Sequence, residues 1–438
     1  MNYKETIEYL FTRLPMFSRT GADAFKKDLT NTLALCKALG DPHKKIKTIH
    51  VAGTNGKGSV SHMIAAILQT AGYKTGLYTS PHLRDFRERI KLNGFLVPEE
   101  FVVSFTQQYK SLIEEIEPSF FEITVAMAFD FFAKQEVDIA VIETGLGGRL
   151  DSTNVIHPVL SVITNIGWDH MNMLGNTLTE IASEKAGIIK KNVPVVIGEV
   201  LPETSPVFTA KASEQHADVH YANQEYQIVH AEAAADFLHL SVARQSNHTI
   251  KSYRLDLNGW YQQKNLLTVL TACDVLKQSG WSVEEQHLQY ALRNSRKLNG
   301  LMGRWEIVRS KPTVVLDVGH NVDGIRQILE QLERTAFRHL HIVFGMVKDK
   351  DLTAVLELLP STATYYFTKA QIPRALPEQI LQNEARQFSL SGMTYQEVNE
   401  ALWSALKDAT VDDLILVCGS VFLVGEVDIT SIAIKRED

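Results

Sequence analysis

Ile49-His50-Val51-Ala52-Gly53-Thr54-Asn55-Gly56-Lys57-Gly58-Ser59 is the stretch from which the rest of the chain is read. A short run rich in β-branched residues, Ile46 to Val51, feeds a glycine-dense turn. The turn opens a helical pattern with Val60, Met63, Ile64, Ile67 and Leu68 on one face. Strand, glycine turn and helix in that order make a phosphate cradle. The amides of the turn and first helical turn point one way, and the helix dipole favours an anion there. Glycine lets the backbone approach phosphate oxygens and adopt positive φ. Lys57 is placed to neutralise the outer phosphates of a nucleotide, and the Ser59 hydroxyl to help hold Mg²⁺. The bland alternative is a glycine turn that merely caps a helix.

The common phosphate-loop pattern has Ser or Thr directly after the lysine; here Gly58 intervenes and the serine comes one place later. In that departure the loop G-T-N-G-K-G-S resembles the phosphate loop of the Mur-ligase superfamily, the ATP-dependent amide-forming ligases.

A chain of 438 residues suggests two or three domains rather than one core. A hydrophobic content of 45% with 22% charged residues is ordinary for a soluble globular protein, and a formal net charge of −7 argues against a nucleic-acid partner. Cys36, Cys273 and Cys418 are widely spaced, which fits a reducing compartment and excludes a thiolate metal site. No signal-peptide pattern stands at the start, and no run approaches the ~18 apolar residues of a membrane span. The expectation is a cytoplasmic monomer.

Along the chain, residues 4–14 and 28–39 read as amphipathic helices that pack on a sheet. Thr75 to Thr79 reads as a strand ended by Ser80-Pro81, where an open α/β sheet places its site; a serine such as Ser80, taken alone, is more often a turn residue. Pro98 to Glu117 and Phe120 to Lys134 read as helices, the second buried, with Glu122 favouring its N-terminus. Asp138 to Ile142 is a short apolar strand of the covered parallel kind. It delivers Glu143, followed by the glycine-rich Thr144 to Asn154. A carboxylate there suits Mg²⁺, a solvated strand-end glutamate being the alternative. Val159 to Ile163 similarly leads to His170, which alone could be structural. A helix from Leu178 to Ile188 carries Lys185, and Pro194 to Ile197 is a further strand. Residues 219–257 read as an antiparallel region. Asn265 opens a helix to about Leu276, as a cap or as a base contact.

The second domain begins near Leu298, giving 1–297 and 298–438 as the expected domains. Beyond the linker Asn299 to Arg304, strands are read at 314–318, 341–344, 364–368, 414–418 and 421–424, with helices at 322–332, 352–359 and 395–406. The expected class is therefore α/β: a phosphate-loop N-terminal domain with a mostly parallel sheet, and a smaller Rossmann-like α/β domain.

The ordered set T-N-G-K-G-S, T-S-P-H-L, E-R-I-K-L-N-G, E-T-G-L-G-G-R-L-D-S-T-N, D-H-M-N-M-L-G-N-T, E-K-A-G-I-I-K, D-V-G-H-N and C-G-S-V-F-L-V-G-E-V spans nearly the whole chain. It resembles the folylpolyglutamate synthase family, including its bifunctional dihydrofolate synthase form. The resemblance implies that Asn55, Gly56, Lys57, Gly58, Ser59, Asn265, Arg304 and Asp317 contact ATP. It implies that Ser80, Glu143 and His170 ligate magnesium, with two Mg²⁺ in all, and that Lys185 is carbamylated. Folate is implied near His82, Phe121, Glu122, Thr124, Asp151 and Ser152, and glutamate near His320 and Ser420. The implied reaction adds L-glutamate to the γ-carboxylate of a folate through an acyl phosphate. Two departures stand out. The family's Pro-Gly-Arg linker reads Met302-Gly303-Arg304, and its Asp-x-Ala-His-Asn-Pro has Gly319 and Val322 in place of Ala and Pro. Rival readings are a cell-wall Mur ligase and a non-catalytic ATP-binding regulator.

Overall fold

The computed structural model describes residues 1–16, 28–234 and 236–432. The chain divides into two compact units: Met1–Gly167 with Met171–Asp256 and Gln262–Leu301, and a second made of Met302–Asp438 with the short stretches Trp168–His170 and Leu257–Tyr261. Those two excursions are not readable as a composition shift, because three to five residues carry no periodicity.

The first unit is built on an eight-stranded sheet of β1 (Thr48–Ala52), β2 (Thr75–Tyr78), β3 (Ile90–Leu92), β4 (Phe95–Leu96), β5 (Ile139–Glu143), β6 (Leu160–Ile163), β7 (Val195–Ile197) and β8 (Val219–Tyr221). Its order is β4-β3-β2-β5-β1-β6-β7-β8, parallel from β2 to β8, with an antiparallel hairpin at the β4 edge. β1, β5 and β6 are buried at every position, as continuous apolar runs in a covered parallel sheet must be. The chain leaves the carboxyl ends of β1, β2, β5 and β6 at one edge, where doubly wound sheets build their sites. Against the sheet packs the helix Phe120–Lys134, buried over most of its length. Its Phe132 is fully buried and fills the space over Gly76 of β2, where a Cβ would come within 2.9 Å of the ring. Burying such a ring contributes about 1.5–3 kcal/mol. A separate antiparallel sheet, β9 (Tyr226–Ala233), β10 (Leu238–Arg244) and β11 (Ile250–Leu255), accounts for most of the 219–257 region, while β8 joins the main sheet.

The second unit carries β12 (Glu306–Ser310), β13 (Thr313–Leu316), β14 (Leu340–Phe344), β15 (Thr364–Phe367), β16 (Gly392–Thr394) and β17 (Leu414–Cys418). The order is β12-β13-β17-β14-β15-β16, parallel except for β12.

Three sequence readings need correction. Pro98 to Glu117 is not one helix but two, Glu99–Gln108 and Lys110–Ile116, parted at Tyr109. Val421 to Val424 is helical, Val421–Gly425, because Ser420 caps it and outweighs the β preference of its valines. The helix Glu285–Arg293 and the strands β12 and β16 escaped notice, being short or mostly polar.

Buried polar links tie the sheet to its loops. His50 in β1 is wholly buried, its Nε2 2.8 Å from Thr153 Oγ1. Burial, with Lys190 adding to it, pushes its imidazole down to about 3. The unfolded chain protonates it near its ordinary 6.5 and the folded chain does not, so this stabilisation is full above pH 6.5 and fades as pH falls towards 3. Urea unfolding of His50→Gln should therefore lose stability less steeply below pH 6.5 than the parent, by about one proton, or about 1.4 kcal/mol per pH unit. Parallel curves for the two proteins would overturn this.

Candidate active site

The turn after β1 enters the helix Lys57–Thr70 through Gly56, whose φ of 83° is left-handed. No side chain caps this end, so the first-turn amides keep the orientation that an anion needs. The turn is pinned from the side by the end of β6. Thr54 N donates to Asn165 O at 3.0 Å and Asn55 N to Asn165 Oδ1 at 2.8 Å, while Thr164 Oγ1 donates to Asn55 O at 2.6 Å. A Cβ on Gly53 would lie 1.9 Å from Thr164 Oγ1, and one on Gly56 would lie 2.4 Å from Asn265 Oδ1. Both glycines are thus demanded by close neighbours as well as by φ.

Asn265 does not cap its helix, Gln262–Gln278, but stands one turn inside it. Its Nδ2 donates to Gln262 Oε1 at 2.8 Å, and Gln262 Nε2 donates to Ser59 Oγ at 3.1 Å. Ser59 is only 1% exposed. The hydroxyl expected to help hold magnesium accepts from Gln262. Sequence reading missed Gln262 and Asn165; the signal available was their place beside two residues already of interest, Asn265 and the β6 end.

Lys57 folds over its own loop, Nζ donating to Gly53 O at 2.9 Å and Thr54 O at 3.1 Å. Lys185, buried near the end of the helix Leu178–Ala186, donates to the same Gly53 O at 3.0 Å. Two ammonium groups from distant parts of the chain meet on one carbonyl of the phosphate loop.

Glu143 ends β5, and Ser80 follows β2, the neighbouring strand. Ser80 N donates to Glu143 Oε2 at 3.3 Å. Among the described residues no three His, Cys, Asp or Glu side chains are grouped to hold a metal by themselves. A hydroxyl and a carboxylate side by side are instead the partial set of hard oxygen donors that Mg²⁺ takes together with water and phosphate oxygens. These residues fit that ion.

Beyond Ser80, the loop to β3 is folded by Glu88. Its carboxylate accepts from the amides of Leu83 at 2.7 Å, Arg84 at 3.0 Å and Asp85 at 2.8 Å. His82 lies parallel to the Phe11 ring at 6.0 Å, and burial, with Arg89 adding to it, pushes its imidazole down to about 3. Phe121 packs its ring on Gly145, where a Cβ would come within 2.5 Å. Of the other residues expected at folate, several are engaged internally. Glu122 closes the capping box of its helix, accepting from Ser119 N at 2.6 Å. Thr124 is fully buried and donates to Phe120 O at 2.6 Å. Asp151 accepts from Leu146 N at 2.8 Å and from Thr153 N at 3.0 Å, so it braces the glycine loop in which Ser152 starts a short 3-10 helix.

In the second unit the carboxyl ends of β13 and β17 carry Asp317 and Ser420. Asp317 is buried and accepts from Trp305 N at 2.8 Å, Tyr261 Oη at 2.9 Å and Gly319 N at 2.8 Å. Burial raises its carboxyl, and Arg304 opposes the rise. Ser420 is buried and caps Val421–Gly425. Asp169 gathers the rest. Asn321 Nδ2 donates to it at 3.1 Å, His320 Nε2 lies 3.5 Å away, Lys350 is ion-paired with it, and His170 N donates to it at 2.8 Å. Burial pulls that carboxyl upwards, but Lys350 and the two histidines hold it well below the usual carboxylate range. Asp169 stands within a quoted motif but was given no role; a carboxylate directly before His170 was the available sign.

The Mur ligase middle domain matches residues 51–273, and the Mur ligase glutamate ligase domain matches 303–421. The folylpolyglutamate synthase of Lacticaseibacillus casei is 32% identical over 437 residues, with 98% of each chain covered. The chain belongs to the folylpolyglutamate synthase family. A second relative, the dihydrofolate synthase/folylpolyglutamate synthase of Bacillus subtilis, is 33% identical, with 97% of this chain and 98% of that one covered. A solved structure of E. coli FolC in complex with DHPP and ADP superposes with a TM-score of 0.85 at 28% identity, covering 99% and 97% of the two chains.

Membership in the folylpolyglutamate synthase family makes the two departures interpretable. A Cβ at Gly319 would come within 2.6 Å of Ile328 Cδ1, so an isoleucine occupies the room that the family's alanine takes. Val322 stands at the first position of the helix Val322–Leu332, after the Asn321 cap, where proline and other residues are interchangeable without loss of a hydrogen bond. No helix among the described residues is long and apolar enough to cross a membrane.

Proposed function

We propose that this folylpolyglutamate synthase family member is an ATP-dependent ligase joining the amine of L-glutamate to the γ-carboxylate at the glutamate end of a reduced folate. Dihydropteroate, joined to its first glutamate, is a second substrate of the same chemistry. The observation that carries the reading is the meeting of Lys57 and Lys185 on the Gly53 carbonyl, in the turn after β1. Beside β1 in the same sheet runs β5, which ends in Glu143.

The folate carboxylate attacks the γ-phosphorus of ATP, the β–γ bridging oxygen leaves with ADP, and an acyl phosphate forms. The amine of glutamate then attacks the acyl carbon, and inorganic phosphate leaves as the amide forms. Neither step needs an enzyme nucleophile; alignment and charge neutralisation suffice. Lys57 moves from the loop carbonyls to the outer phosphates, and the uncapped first turn of its helix receives phosphate oxygens. Ser80, Glu143 and His170 would hold Mg²⁺, two ions in all, which neutralise phosphate charge. Lys185 is carbamylated, its amine taking up CO₂ with loss of a proton: it lies buried beside Lys57 on the Gly53 carbonyl, where an added carboxylate meets a cation. The resulting anion turns a repulsive neighbour of Lys57 into an attractive one. Arg304, Asp317 and Asn265 serve the nucleotide, and His320 and Ser420 the glutamate. At the folate, His82, Phe121 and Ser152 make contact, and Asp151 braces the loop.

The test is ADP release with reduced folate or dihydropteroate, each with and without L-glutamate. Glutamate-dependent release with reduced folate is expected, with a mass increase of one glutamyl unit in the product. Release with neither acceptor would sink the reading.

A further inference from the structure

Arg89 is nearly buried at the end of the short helix Phe86–Arg89, and its Nε donates to His82 Nδ1 at 2.7 Å. An arginine never supplies an acceptor and does not give up its proton in a protein. The Nδ1 of His82 must therefore be the bare nitrogen, and the ring's single proton sits on Nε2. A half-turn of the ring would put Cδ2 in the place of Nδ1 and break this bond. The ring lies parallel to Phe11 at 6.0 Å and edge-on to Phe86 at 6.4 Å. Arg89 in turn rests over the Phe120 ring at 5.2 Å. The charged groups acting on His82 are Arg89 and Asp85; the latter is tied to Arg87 at 2.7 Å and accepts from Tyr3 Oη at 3.2 Å. Nothing in that set competes with Arg89 for Nδ1.

We propose that Arg89 is a positioning residue that locks His82 as the Nε2–H tautomer, so that His82 offers the folate one fixed hydrogen-bond donor and selects an acceptor atom on its aromatic portion. The proposal rests on the ligase reading above and deepens its folate side. It explains why the T-S-P-H-L and E-R-I motifs belong together. Glu88 gathers the loop amides that carry His82 back towards the helix, and Arg89 then sets the proton on its ring. A neutral histidine is otherwise free to place its proton on either nitrogen, and would present an acceptor as readily as a donor.

The test is a double-mutant cycle in the full chain. Arg89→Met removes the lock while keeping a long apolar stem. His82→Gln places an amide donor near Nε2 that needs no lock. Arg89→Met alone should raise KM for reduced folate about tenfold, the worth of one hydrogen bond of about 1.4 kcal/mol, and leave KM for ATP within twofold. In the His82→Gln background the same change should have less than a threefold effect. Nitrogen-15 shifts of the His82 ring at pH 7 should show a bare Nδ1 in the parent and a tautomer mixture in Arg89→Met. Equal effects of Arg89→Met in both backgrounds, or an Nδ1–H tautomer in the parent, would overturn the lock. Should Arg89→Met fail to fold, Arg89→Gln, whose amide accepts as well as donates and so releases the lock while keeping a polar partner, supplies the same cycle. A parent that turns over no folate at all would defeat the ligase reading instead, so the two failures are distinguishable.

Discussion

Lys57→Ala is expected to lose about 10²–10³-fold in kcat for glutamate addition while unfolding at nearly the same urea concentration as the parent. The expectation follows from where the ammonium now rests. Its Nζ donates to carbonyls of its own loop, Gly53 and Thr54, and Lys185 also donates to Gly53 O. The fold does not need Lys57, because Asn165, Thr164 and Gly167 pin the turn without it. Under the proposed assignment the transition state of phosphoryl transfer does need it, as charge spreads over outer phosphate oxygens that this ammonium would neutralise. Removing a single such group typically costs 10²–10³-fold, roughly 2.7–4 kcal/mol. Steady-state kinetics with urea unfolding separate the two effects. A variant within about tenfold of the parent would place the phosphates elsewhere.

Lys185→Ala should lose about 10²-fold or more in activity, and acetate or another short carboxylate added in solution should restore part of it. The alanine leaves a space lined by the Gly53 carbonyl, into which a small anion can diffuse. In the parent, depleting CO₂ should lower activity and bicarbonate should return it. If Lys185 works instead as a cation, short amines rather than carboxylates will rescue the variant. That outcome would dismiss the carbamate while leaving the phosphate loop assignment intact.

What could be read from the sequence, and what could not, divides along a physical line. The phosphate turn, the strand delivering Glu143 and the buried helix Phe120–Lys134 were legible because each declares itself locally, by periodicity, glycine or a bounding break. The partners of those residues were not, because they come from far along the chain. Gln262 reaches Ser59 across 203 positions, and Lys185 reaches Gly53 across 132. Residues quoted for a ligand can also prove to hold the scaffold. Glu122 and Ser420 both end helices, and capping and ligand binding draw on the same side-chain chemistry. Asp169 illustrates the opposite case, a polar residue in a quoted motif whose importance appears only when Lys350, His320 and Asn321 are seen around it.

The serine set one place late in the phosphate loop has a wider implication. An α-helix works as a rotary dial, each added residue turning every later side chain by about 100°. With Gly58 between them, the hydroxyl of Ser59 stands two places round the dial from Lys57, where it accepts from Gln262. A pattern search that demands a hydroxyl immediately after the lysine would pass over this loop. The oxygen it looks for would come, under the proposed assignment, from Ser80 on a separate strand end. Metal binding and nucleotide gripping are then borne by different segments, so either could be altered by substitution without rewriting the other.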